Sequence, residues 1–257
     1  MIERSVFITG GAKGIGRASA LRFAKRGYFV GIFDIDRAGA EAVANEIGAD
    51  HAIAGALDVR DPESFKKAIR DFGARTNGTM SVLFNSAGIL RTGKFDQIPP
   101  GESHALVQVN LLGVLNGLYA ALPLLEKTKN ACVVTMSSAS AIYGTPEQAV
   151  YSATKFAVRA LTEALDIEFR PRGIRVTDVM PSYVDTEMVS SQSFRPGTLK
   201  SRGIKLTADD VAALVVRAAE GNRVHWFASF DENVLHRVGN LVPGFGRALM
   251  RKLSRLE

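Results

Sequence analysis

Thr9-Gly-Gly-Ala-Lys-Gly-Ile-Gly16 follows the short apolar run 5–8 and opens into a helical pattern. A glycine-rich pattern alone is weak evidence. Between a first strand and a helix it has the setting that makes it informative. Gly10, Gly14 and Gly16 allow backbone N–H groups to approach a pyrophosphate, and the helix N-terminus adds positive potential there. Along 14–26, Ile15, Ala18, Leu21 and Ala24 fall on one helical face.

The same alternation continues outward. Apolar runs at 28–33, 51–57, 81–84, 131–136, 174–179 and 224–228 read as strands. Helical patterns lie between them, at 38–47, from Pro62 onward, at 103–126, at 150–168 and from the capping Thr207 to Ala219. Strict alternation predicts an α/β chain, a single-domain Rossmann fold with a doubly wound parallel sheet of about seven strands. No linker or repeat interrupts it, so residues 1–257 read as one domain. Two stretches escape the pattern: 187–205, a polar segment expected to be a mobile substrate loop, and 235–257, an amphipathic basic tail.

Composition excludes several classes. The chain has 257 residues, 46% of them hydrophobic, ample for a continuous core. Its single cysteine, Cys132, forbids an internal disulfide, so a reducing compartment is expected. The apolar neighbours of Cys132 predict a packing role. The N-terminus enters a strand directly, with no leader pattern, and no run of about 18 apolar residues is read, so a soluble, cytoplasmic protein is expected. Net charge is +6, and the tail carries Arg237, Arg247, Arg251, Lys252 and Arg255 against Glu257. No basic stripe with interleaved aromatics accompanies that charge, so nucleic acid is not an expected partner. No metal site is expected.

Asp34 closes the second strand 18 residues after Gly16, near the distance at which a carboxylate receives adenosine ribose hydroxyls. A carboxylate there repels a 2′-phosphate and predicts NAD over NADP. Lys13 pulls the other way, and Asp36 is a competitor for the role of Asp34. Asp58-Val59 and Asn85-Ser-Ala-Gly88 follow the third and fourth strands, at carboxyl ends where such sheets bind ligands. Asp58 could accept from the adenine amino group or simply start a helix.

Tyr151 and Lys155 are four apart on a helix, hence on one face. A cation about 5 Å from a phenolate, at an effective dielectric of about 20, stabilises it by roughly 3 kcal/mol, or about two pKa units. Tyr151 is then expected to exchange a proton with an alcohol or carbonyl, and Lys155 could also hold the nicotinamide ribose. Ser138 ends the fifth strand and could hold the substrate oxygen, with Ser137 and Ser140 as rivals. Asn110 lies inside an apolar helix, as a surface residue, as a kink or with buried partners such as a water linked to Lys155.

These residues together resemble the short-chain dehydrogenases/reductases over roughly residues 4–228. The motifs are Thr9-Gly-x-x-x-Gly-x-Gly16, Asn85-Ser-Ala-Gly88, Asn110, Ser138 and Tyr151-x-x-x-Lys155. The resemblance implies a catalytic tetrad of Asn110, Ser138, Tyr151 and Lys155. It implies a cofactor track along Gly10, Lys13, Gly14, Ile15, Gly16, Asp34, Asp58, Val59, Asn85, Ala87 and Gly88, continuing to Tyr151, Lys155, Pro181, Val184 and Thr186. Thr186 would hold the nicotinamide carboxamide. Family members pair as homodimers or homotetramers through two long helices, here about 103–126 and 149–170.

Three departures stand out. Pro181-Ser182 replaces the usual Pro-Gly, Ser86 replaces a second Asn, and the basic tail replaces a glycine-rich ending, which favours a dimer. Leu249, Met250, Leu253 and Leu256 at helical spacing predict that the tail covers this protein's own core or a partner subunit rather than a membrane surface. The substrate is expected to be an apolar secondary alcohol or ketone, met by Ser138, Ile142, Tyr143, Gln148, Tyr183 and Met188. A catalytically silent dinucleotide-binding regulator is the alternative.

Overall fold

The structure is a computed structural model and describes residues 3–241 and 243–254. Its first half alternates β1 (Ser5–Thr9), α1 (Gly14–Lys25), β2 (Phe29–Asp34), α2 (Arg37–Ile47), β3 (Ala52–Ala56), α3 (Pro62–Arg75) and β4 (Val82–Asn85). Next come α4 (Pro100–Val107), α5 (Gly113–Leu125), β5 (Ala131–Met136), α6 (Ala149–Phe169) and β6 (Ile174–Met180). The remainder is β7 (Val184–Asp185), α7 (Glu187–Ser190), α8 (Gly197–Arg202), β8 (Leu206–Thr207), α9 (Ala208–Glu220), β9 (His225–Phe227), α10 (Phe230–Leu241) and α11 (Pro243–Ser254).

Seven strands form one parallel sheet in the order β3-β2-β1-β4-β5-β6-β9. This is the doubly wound Rossmann arrangement. Its strands are apolar on both faces because helices cover both. Val6, Ile8, Val30, Ile32, Phe84 and Val134 pack in one layer, and Phe7, Phe33, Phe65, Phe72, Leu83 and Val133 in the other. Each such fully buried side chain contributes about 1.5–3 kcal/mol of transfer free energy. Cys132 is buried among them, and burial pushes its thiol up to about 12, so it packs and does not react.

Three segments differ from the sequence expectation. The helix read across 103–126 begins at Pro100 and is interrupted by a π turn over Gln108–Leu112. The segment 187–205 holds α7 and α8 rather than an open loop, because Gly197 N–H donates to Glu147 Oε2 at 2.8 Å and Thr198 and Leu199 are buried. Finally, one helical stretch, Pro100–Leu125, is long and apolar enough by composition to cross a membrane. It lies instead against the sheet, with Leu106, Val114, Leu118, Ala121 and Leu125 buried.

Candidate active site

A cavity of about 770 Å³ opens at the carboxyl ends of β1, β4, β5 and β6. The strand order reverses between β1 and β4, and a doubly wound sheet forms its ligand crevice at that switch point.

One half of the cavity is fitted to a dinucleotide. Gly10 has φ +66° and faces Ala87 so closely that an added Cβ would lie 2.7 Å from the Ala87 Cα. A Cβ on Gly16 would collide with the Gly10 carbonyl. The turn is therefore drawn tight against the start of α1, leaving room for a phosphate beside its N–H groups. Asp34 stands at the end of β2. Its Oδ2 accepts Ala12 N–H at 3.0 Å and its Oδ1 accepts Asp36 N–H at 2.9 Å. A carboxylate oxygen has two lone-pair directions, so acceptor capacity remains for ribose hydroxyls. Its competitor Asp36 is occupied as the cap of α2, accepting Gly39 N–H at 3.0 Å. Lys13 lies 4.0 Å from Asp36 and 3.5 Å from Glu187.

Lys13, Gly14, Ile15, Asp58, Val59, Ala87, Gly88, Pro181, Val184 and Thr186 all line the cavity. Asn85 is not among its lining residues. It is buried toward α5, where a Cβ on Gly117 would lie 2.6 Å from its Oδ1. Asp58 is gripped by the Arg60 guanidinium at 2.6–3.0 Å, which holds its carboxyl below the usual range. Arg60 and Ile35, both in the cavity wall, carried no signal in the sequence pattern. An exposed cation and an exposed aliphatic residue are unremarkable until the fold brings them into one cavity wall with Asp34.

The other half gathers Ser138, Tyr151 and Lys155. All three line this end of the cavity, and Lys155 Nζ lies 5.6 Å from the Tyr151 ring centroid. Lys155 Nζ donates to the Met136 carbonyl at 2.7 Å. Burial pushes the Tyr151 phenol up to about 12, against the pull of the Ser138 hydroxyl. This corrects the expectation of a lowered phenol: loss of hydration on burial is the dominant cause. Burial also pulls the Lys155 ammonium down to about 8. Of the rival serines, Ser137 turns its hydroxyl to the Lys155 carbonyl, while Ser140 N–H donates to Ser138 Oγ at 3.1 Å.

Asn110 sits within the π turn, buried. Its amide meets the Ile89 backbone twice, donating to the carbonyl at 2.9 Å and accepting the N–H at 2.8 Å. The backbone of Ile89 thus supplies the partners that the sequence reading sought in water. A π turn inserts one extra residue per turn and re-aims what it carries. Here it points Asn110 at Ile89, in the segment that follows β4. Gly88 lies between Asn110 and Lys155: an added Cβ would be 3.3 Å from Asn110 Oδ1 and 4.0 Å from Lys155 Nζ.

Tyr143, Gln148, Tyr183 and Met188 also line the cavity, whereas Ile142 does not. Gln148 and Thr198 both bond the Tyr183 hydroxyl, and Arg202 donates to the Tyr143 hydroxyl at 2.7 Å. Leu253, from the basic tail, closes the wall. Ser201 Oγ donates to the Leu253 carbonyl at 2.8 Å, and Met250 is buried. The tail therefore packs on α8 of its own chain. Leu256 lies outside the described residues.

Residues 4–195 match the family model for short chain dehydrogenases. The chain belongs to the short-chain dehydrogenase family. The dehydrogenase is 36% identical over 186 residues to 2,5-dichloro-2,5-cyclohexadiene-1,4-diol dehydrogenase LinX of Sphingobium indicum, covering 72% of this chain and 74% of that one. It is 34% identical over 188 residues to a 3-alpha-(or 20-beta)-hydroxysteroid dehydrogenase of Mycobacterium tuberculosis, covering 73% of this chain and 72% of that one. Among solved structures, the 3-ketoacyl-(acyl-carrier-protein) reductase of Brucella melitensis complexed with NADH superposes with a TM-score of 0.78 at 28% identity. That match covers 87% of this chain and 96% of the other. As a member of this family, the dehydrogenase is an NAD(P)-dependent oxidoreductase acting on CH–OH groups.

Proposed function

We propose that this dehydrogenase interconverts an apolar secondary alcohol and its ketone with NAD(H), using Tyr151 as the acid and base. The observation that carries the reading is that Ser138, Tyr151 and Lys155 line one cavity with the glycine turn, with Lys155 Nζ 5.6 Å from the Tyr151 ring centroid. A bound nicotinamide supplies or accepts the hydride. Ser138 orients the substrate oxygen toward the Tyr151 hydroxyl. In reduction Tyr151 gives that oxygen its proton, and burial favours the neutral phenol this requires. In oxidation Tyr151 receives the proton, and the Lys155 ammonium stabilises the phenolate. Asn110, bound to the Ile89 backbone, fixes the wall behind Lys155.

NAD is favoured over NADP. Asp34 presents a carboxylate where a 2′-phosphate would lie, and Lys13 is already flanked by Asp36 and Glu187. The side chains of Tyr143, Tyr183, Met188 and Leu253 give the substrate region an apolar character, and two relatives carry ring alcohols in their names. The exposed apolar residues Leu112, Tyr119, Phe156 and Ile167 on α5, the π turn and α6 support a homodimer through these helices.

The test is NADH production from secondary alcohols of graded chain length and ring size, with Tyr151→Phe alongside. Turnover that grows with apolar size and falls at least about a hundredfold in the variant is expected. Equal turnover by both proteins would remove Tyr151 from the chemistry.

A further inference from the structure

Asp178 is a carboxylate with no place in the machinery above, yet it is fully buried in β6. On its face of the strand Ile174 and Val176 precede it, both in the apolar layer beneath α6. A third aliphatic residue would be cheaper there, since an ionised carboxylate loses its hydration on burial. One of its oxygens, Oδ1, lies 2.8 Å from His225 Nδ1, contributed by the neighbouring strand β9. The β6–β9 register sets these two residues directly side by side. The other oxygen, Oδ2, is buried without a hydrogen-bond partner among the described residues.

The wall facing this pair is a single stripe of α6. Lys155, Arg159 and Glu163 are spaced four apart and so share a face. His225 Nε2 lies 3.1 Å from Glu163 Oε1, and Arg159 Nε donates to the same oxygen at 2.8 Å. The Lys155 end of the stripe reaches β5, where its ammonium bonds the Met136 carbonyl. Met136 adjoins Thr135, and Thr135 is the register partner of Asp178. The charged or titratable groups facing the pair are therefore Lys155, Arg159 and Glu163 from α6, with the His236 ring of α10 at 5.4 Å from that of His225. Thr135 on β5 brings no charge.

We propose that Asp178, held ionised by the His225 N–H, is the buried counter-charge that keeps Lys155 protonated beside Tyr151, so that Asp178 and His225 are positioning residues of the reaction. Burial drives Lys155 toward the neutral amine, and Asp178 is the group whose charge opposes that drive. The carboxylate in turn bears its own burial, which pushes it up to about 6, and the His225 hydrogen bond works against that rise. Glu163, half exposed, links His225 to solvent. The proposal rests on the reading of Lys155 as the partner of Tyr151.

The test is the titration midpoint of Lys155, followed by NMR in protein carrying labelled lysine side chains, with the resonance assigned from Lys155→Arg. This readout needs no turnover. Asp178→Asn keeps the volume and a polar contact to His225 but removes the charge. His225→Phe keeps the ring and removes both hydrogen bonds, leaving Asp178 free to protonate. Both are expected to lower the Lys155 midpoint by about one pH unit, and to move the alkaline limb of the kcat profile down by the same amount. An unchanged midpoint in whichever variant folds overturns the proposal, even if stability falls, because a strand-bridging role alone would cost stability and leave Lys155 where it was. Tyr151→Phe judges the other reading separately. A turnover independent of Tyr151 would sink the assignment of the acid and base while the Lys155 midpoint still reports on Asp178.

Discussion

Tyr151 is asked to hold a proton in a place where its anion is costly, and that sets the pH behaviour of both directions. With the phenol pushed up by burial, the phenolate fraction at neutral pH is small. Alcohol oxidation should rise about tenfold per pH unit while the phenol remains mostly protonated, and flatten above about 8, where Lys155 loses its charge. Ketone reduction should be flat over the same range. Initial rates in both directions across a pH series check this, and an oxidation rate independent of pH would count against a rate-limiting proton transfer to Tyr151. Asp34→Ala should narrow the ratio of NADH to NADPH dissociation constants, measured by fluorescence titration. An unchanged ratio would take the cofactor preference away from Asp34. The Asp178–His225 pair has a stability signature of its own. Both residues bind a proton more tightly in the folded state than in the unfolded one. Their contribution to stability is therefore full below about pH 4, the unfolded carboxyl value, and is lost as pH rises through about 6 for Asp178. Asp178→Asn should flatten that part of the Tm-against-pH curve.

At the scale of elements, legibility followed the range of the interactions involved. The glycine turn, Asp34, Ser138 and the Tyr151–Lys155 pair are set by strand ends and by one helical spacing, so the linear pattern carried them into one cavity. The π turn at Gln108–Leu112 was hidden, because the extra residue leaves apolar periodicity nearly intact and its cause, the Asn110 clasp on Ile89, lies across the fold. The segment 187–205 read as open loop because its burial comes from α11, some fifty residues later. A Cβ on Gly197 would collide with the Ser254 carbonyl, so α8 and α11 meet backbone to backbone. Gly197→Val should therefore displace α11. It is expected to raise KM for long apolar alcohols several-fold through loss of the Leu253 wall, while NADH affinity stays within about twofold. Removal of residues 243–257 should act in the same direction. If either variant left KM unchanged, the tail would have no part in the substrate wall. Flotation of this truncated protein and of the full chain with anionic vesicles tests the tail against a membrane surface. Equal flotation would leave the tail to the cavity alone.

At the scale of the whole molecule, the exposed side chains of α5 and α6 are the unfinished surface. Tyr119 and Ile167 are each 77% exposed. Apolar groups so placed stabilise association when a second copy covers them, as burial of each returns transfer free energy. Tyr119→Glu with Ile167→Glu should shift the species seen by light scattering toward monomer, with the Tyr151 chemistry retained in the subunit. A mass unchanged from wild type would point to another interface. The order of the chain has a further consequence. The cofactor wall is complete once Thr186 has been made, whereas the substrate wall waits for Leu253, among the last residues described. The helix that follows the glycine turn packs on α9, so the coenzyme half is braced by residues up to about 220, and only the substrate wall depends on the last helix. A frameshift or an appended tag near the C-terminus should accordingly yield an enzyme that still loads its coenzyme but has lost discrimination among alcohols.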